Sequence, residues 1–117
     1  MAKLKPIIPT LREKKRYLAF EILSKSKIKA SSSVSRAISQ GMLSFVGAKG
    51  AAEAGIAILH EKYNDQQQKG IVRVNHKQVD ALKASLTTIQ DIDAVPVSVR
   101  SVGVSGSLKK ATTYVAG

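Results

Sequence analysis

Two histidines, His60 and His76, and eight carboxylates are the side chains of this 117-residue sequence that could carry acid–base or metal chemistry, and no cysteine joins them. Zinc needs convergent imidazole and thiolate or carboxylate ligands, so this inventory argues against a structural or catalytic zinc site. Glu53, Glu61, Asp65, Asp80, Asp91 and Asp93 show no pairing that would set one carboxyl as acid and another as base. A serine–histidine–acid triad could be assembled only by choice, and no catalytic residue is assigned. What the composition favours is electrostatic: 19 Lys and Arg against 8 Asp and Glu, a formal net charge of +11 and a pI near 10.1. Such an imbalance in a short chain points to a polyanionic partner.

The charge sits at the two ends of the chain: nine basic and two acidic residues in 1–30, three of each in 31–68, and seven against three in 69–117. Lys14, Lys15 and Arg16 precede an apolar alternation, and Lys109 and Lys110 follow the small residues Ser105, Gly106 and Ser107. Exposed amides at such a turn, flanked by lysines, suit phosphate. Arg73 alternates with Val72 and Val74, and Arg100 with Val99, so both reach the sheet's second face, towards RNA or an acidic protein. Base stacking on that face is poorly supported, because Tyr17 is the aromatic residue offered there.

These residues need elements to position them. RYLAFEIL, from Arg16 to Leu23, puts Leu18, Phe20 and Ile22 on one face and Tyr17, Ala19 and Glu21 on the other, a half-buried strand. One of the serines at 31–33 is expected to cap a helix whose stripe is Val34, Ile38, Met42, Phe45 and Val46, with Gly47 and Gly50 weakening or ending it. Residues 48–55 read equally as a second short helix or a loop. Ile56 to His60 and Gly70 to Asn75 form a hairpin with a long polar turn, and Asn75 is expected to cap a helix carrying Val79, Leu82, Leu86 and Ile89. Val95, Val97 and Val99 make a last strand, on an edge because Pro96 cannot donate to a ladder. The parity then shifts to Val102 and Val104, which predicts a bulge near Gly103.

The order strand, helix, strand, strand, helix, strand predicts an α+β, ferredoxin-like sandwich: one antiparallel four-stranded sheet in the order four, one, three, two, helices on one face. The expected divisions are a basic arm at 1–9 interrupted by proline, a single domain at 10–110, with Thr10 and Glu13 closing a first turn, and a tail at 111–117. In this topology the start of the first strand lies beside the end of the last, so Lys14 to Arg16 and Lys109 and Lys110 meet at one rim. The longest apolar or Gly run, Ala54 to Leu59, is far too short to cross a bilayer, no signal peptide is evident, and a soluble, cytoplasmic protein is expected.

TLREKKRYLAFEI at 10–22, GIVRVNHKQVDALKASL at 70–86 and VRSVGVSGSLKK at 99–110 together resemble the family of archaeal ribonuclease P protein component 2. The resemblance implies a noncatalytic RNA-binding subunit of a ribonucleoprotein that removes the leader from precursor tRNA, with the ribonuclease P RNA performing the hydrolysis with magnesium ions and no cofactor held by the chain. It also implies pairing with ribonuclease P protein component 3 and admits a homodimer of this chain within a heterotetramer. By position in the matched motifs, Lys14, Lys15, Arg16, Arg73, Arg100, Lys109 and Lys110 are the candidates for RNA contact. The alternatives left open are a small enzyme of the same fold and a ligand-sensing or assembly module, each acting on an anionic small molecule.

Overall fold

The strand β1 (Lys15–Ser24) lies at the centre of the sheet, paired antiparallel on both sides. The computed structural model describes residues 14–116, so the arm expected at 1–9 and the Thr10–Glu13 pair lie outside the described residues. After β1 come α1 (Ser31–Ala54), β2 (Ala57–Ile58), β3 (Lys69–Asn75), α2 (Val79–Leu86), β4 (Asp91–Ile92), β5 (Val95–Ser105) and α3 (Leu108–Ala116). The strand order is β2-β3-β1-β5-β4. Four of these strands stand in the expected order. The sheet has five, because β4 adds two residues outside β5, pairing Ile92 with Val95 and Asp91 with Pro96. The expected four-stranded count and the edge position of Pro96 are therefore corrected: β5 becomes an outer strand only beyond that short pairing.

The alternation of β1 sorts its side chains onto two faces as expected. Leu18, Phe20 and Ile22 enter the main core with Val34, Ile38 and Met42 of α1, Val72 and Val74 of β3, and Leu82 and Leu86 of α2. Between Ala19 and Phe20 the register with β5 shifts: Ala19 faces Gly103 and Phe20 faces Ser101, leaving Val102 as the bulged residue. That extra residue returns Val104 to the main core, the outcome the parity change predicted.

The second face departs from the expectation of helices on one side only. Residues 108–116 form α3 where a tail was expected to begin at 111, and its Ala111 and Val115 bury against Ala19 of β1 and Ile71 of β3. Small residues make that approach feasible. A Cβ at Gly103 would lie 2.7 Å from the Tyr114 ring, so glycine there gives the ring its place. Ser107 starts the helix, its Oγ accepting from the Lys110 N–H at 3.4 Å.

Helix α1 runs on past Gly47, whose φ of 80° and ψ of 174° break the helical path inside it. Val34, Ile38 and Met42 are buried and Val46 packs against the same core, whereas Phe45, expected on that stripe, is 50% exposed. Two expected side-chain caps are absent. Ala30 precedes α1 with no side-chain cap bond from the serines, and the Asn75 side chain turns away from the turn it precedes.

Candidate nucleic-acid interface

The in-register pair of Tyr17 and Ser105 fixes one end of the sheet: the start of β1 lies beside the end of β5 and the first turn of α3. Arg16 reaches across this junction. A Cβ at Gly106 would sit 3.2 Å from Arg16 Nη1, so the guanidinium lies against the turn that leads into α3. Lys109 and Lys110 occupy that helix's first turn and are exposed, with no acidic residue beside them there. Cations at a helix N-terminus oppose the macrodipole, so these lysines do little for the helix and concentrate positive potential at the rim. Lys14 is also exposed, and its carbonyl oxygen accepts the His76 N–H at 2.8 Å, with His76 Nδ1 3.2 Å from the same oxygen. Arg73 is exposed one rung inward, opposite Tyr17.

Two of the candidates are otherwise engaged. Lys15 Nζ donates to Asn75 Oδ1, and Asn75 Nδ2 donates to the Glu53 carbonyl at the C-terminal end of α1. A buried asparagine thus ties β1, β3 and α1 together and draws the Lys15 ammonium inward. Arg100 forms an ion pair with Glu21, Nη2 to Oε1 at 2.7 Å and Nε donating to Oε1 at 2.9 Å. It sits four rungs along β1 from Tyr17. The structure therefore brings Lys14, Arg16, Arg73, Lys109 and Lys110 to one end, holds Lys15 to a structural partner there, and leaves Arg100 neutralised farther along. Tyr17 packs against the cluster under α3 rather than offering an open stacking platform.

His60 lies in a 3-10 turn with Nδ1 2.8 Å from Ser31 Oγ, and His76 pins the start of β1. Among the described residues no group of three His, Asp or Glu side chains is arranged to hold a metal ion. No helix among them is long and apolar enough to cross a membrane.

Ribonuclease P protein component 2 of Thermococcus kodakarensis is 36% identical over 108 residues, covering 92% of this chain and 88% of that protein. The protein of the same name from Methanocaldococcus jannaschii is 37% identical, covering 92% and 77%. Among solved structures, a chain in the cryo-EM structure of yeast ribonuclease MRP superposes with a TM-score of 0.64 at 20% identity, covering 83% of this chain and 77% of that one, a likeness of fold. Residues 16–116 match the Rpp14/Pop5 family, and the chain belongs to that family.

Proposed function

We propose that this chain is a noncatalytic, RNA-binding protein subunit of ribonuclease P, gripping the ribose-phosphate backbone of the ribonuclease P RNA at the rim formed by Lys14, Arg16, Lys109 and Lys110. The observation that carries this reading is the convergence of sequence-distant cations at one end of the sheet, in a member of a family whose archaeal relatives bear the ribonuclease P name. Phosphate contacts supply affinity and position without reading sequence, which suits lysines on a helix's first turn better than base recognition on a face that α3 covers. Lys15, Arg73 and Arg100 complete the set of candidate RNA contacts, with Lys15 and Arg100 contributing least because Asn75 and Glu21 already hold them.

The same reading takes the sheet as a ferredoxin-like arrangement elaborated by β4 and α3. It also includes precursor tRNA as substrate of the assembly, a cytoplasmic setting, and magnesium ions serving the RNA-catalysed reaction. Ribonuclease P protein component 3 and a second copy of this chain are the protein partners it implies. Leu23, Leu43, Phe45 and Val102, each at least 40% exposed, are the apolar surface available to such partners.

Reconstitution tests the function. Adding the chain to ribonuclease P RNA and component 3 at limiting magnesium should raise the rate of leader removal from precursor tRNA. An unchanged rate would contradict the proposal.

A further inference from the structure

A second cationic surface lies at the opposite end of β1. Lys25, Lys27 and Lys29, all exposed, alternate along the loop that leaves the strand, while Ile28 between them is buried. This loop is built rather than loose. Gln68, 6% exposed at the end of the β2–β3 connection with a φ of 55°, accepts the Ile28 N–H on its Oε1 at 2.6 Å. Its Nε2 donates to Ser24 Oγ at 3.1 Å and to the Ile22 carbonyl at 3.4 Å. Tyr63 OH donates to the Ile28 carbonyl at 2.5 Å, and Lys27 Nζ donates to the Gln66 carbonyl. A buried polar network thus fixes the backbone that presents the lysines. Together, residues 25–29 and 60–69 carry Lys25, Lys27, Lys29, Lys62 and Lys69 against Glu61 and Asp65.

We propose that the Lys25–Lys29 loop is a second ribose-phosphate docking surface, so that the domain bridges two backbone segments of one RNA. The inference rests on the RNA-binding reading above and extends it. The ten residues of β1 set the span between the two surfaces, about 30 Å at the rise of a strand, so a single contacted turn of backbone does not satisfy both ends. A loop already held in one conformation loses little freedom on binding, which is what a preorganised cationic clamp requires. An acidic protein is the competing occupant, because Leu23 beside the loop is 48% exposed; three lysines spaced along five residues with no acidic residue among them favour the phosphate backbone.

The test is the salt dependence of binding to the full-length ribonuclease P RNA, measured for the intact chain, for K25A/K29A, for K25A/K27A/K29A and for K109A/K110A. Each lost phosphate contact should reduce the slope of log K against log salt by about 0.7 to 0.9, so the triple variant is expected to lose roughly two units. K25A/K29A keeps the Lys27–Gln66 bond and guards against a folding defect. On a short RNA hairpin too small to reach both ends, the intact chain should bind two hairpins, and K25A/K29A and K109A/K110A one each. If only K109A/K110A changes the slope on the full RNA, the second surface is refuted and the rim survives. If no variant changes it, the RNA-binding reading falls as well. An unchanged RNA slope with lost affinity for component 3 would assign the loop to a protein and overturn the proposal, as would a single hairpin bound by the intact chain.

Discussion

The two faces of the sheet are built to different standards. The front face, under α1 and α2, buries Leu18, Phe20, Ile22, Ile38, Met42, Leu82 and Leu86 to 2% exposure or less. Among the described residues, the back face under α3 buries only Ala19, Ile71, Ala111 and Val115. Hydrophobic stabilisation grows with the apolar area removed from water, so the front face carries most of the fold and the back face sets the position of one short helix. The difference separates the store of stability from the proposed RNA-binding rim: its cations sit where α3 begins, and α3 is held by small side chains whose main contribution is closeness of approach.

The sharpest way to break this comparison is to damage each face once. Phe20→Ala opens a cavity in the front core, where Phe20 is fully buried, and should cost about 3–5 kcal/mol in denaturant unfolding. A cost below about 1 kcal/mol would show that the front face is not the main store of stability. Gly103→Ala places a methyl 2.7 Å from the Tyr114 ring, and should cost about 1–3 kcal/mol. Hydrogen exchange should show that loss as weakened protection in α3, with β1 and β3 unaffected. Uniform loss of protection would mean that the two faces form one cooperative unit.

A pH titration sharpens the contrast further. Burial, with a lesser contribution from Asp65, pushes the Tyr63 phenol up from 10.0 to about 12. Between those values the unfolded chain has lost a proton that the folded chain keeps, so stability should fall as pH rises from about 10 to about 12. Tyr63→Phe should remove that alkaline loss, read as a flatter dependence of unfolding free energy on pH between about 10 and about 12. The smallest effect belongs to Arg100→Ala at the uncovered end of the back face. Its side chain is 65% exposed in the pair with Glu21, so melting should report less than about 1 kcal/mol.

Much of this architecture was legible in the sequence where side chains alternate by type. Leu18, Phe20 and Ile22 against Tyr17, Ala19 and Glu21 declare two faces, and the parity change from Val99 to Val104 declares the bulge. Helix α3 was harder to read because its buried residues are a small alanine and one valine, among threonines and lysines that look like a solvated tail; the Ser107 cap with Leu108, Ala111 and Val115 at helical spacing was the available signal. Phe45 is exposed while its neighbour Val46 packs against the core one turn after Met42, so of the two adjacent residues the expected stripe included, Val46 is the one on the buried side.

For the candidate site, topology alone brought Lys14 and Arg16 to Lys109 and Lys110. What local sequence could not reveal were the partners of Lys15 and Arg100, because Asn75 and Glu21 are 60 and 79 residues away in the chain. The Lys25–Lys29 loop was visible as charge, but its fixed geometry depends on Gln68, 40 residues from Ile28. Asn75 looked like a helix cap because asparagine commonly is one; its amide serves the Glu53 carbonyl instead.

The central claim is that the rim holds RNA and not the fold. Binding of the ribonuclease P RNA to the intact chain and to K109A/K110A, measured from low to high salt alongside the melting temperature of each protein, tests it directly. The account predicts a slope of log K against log salt reduced by about 1.5 for the double variant, with melting unchanged or slightly raised as two cations leave a helix N-terminus. An unchanged slope accompanied by a large fall in melting temperature would contradict it.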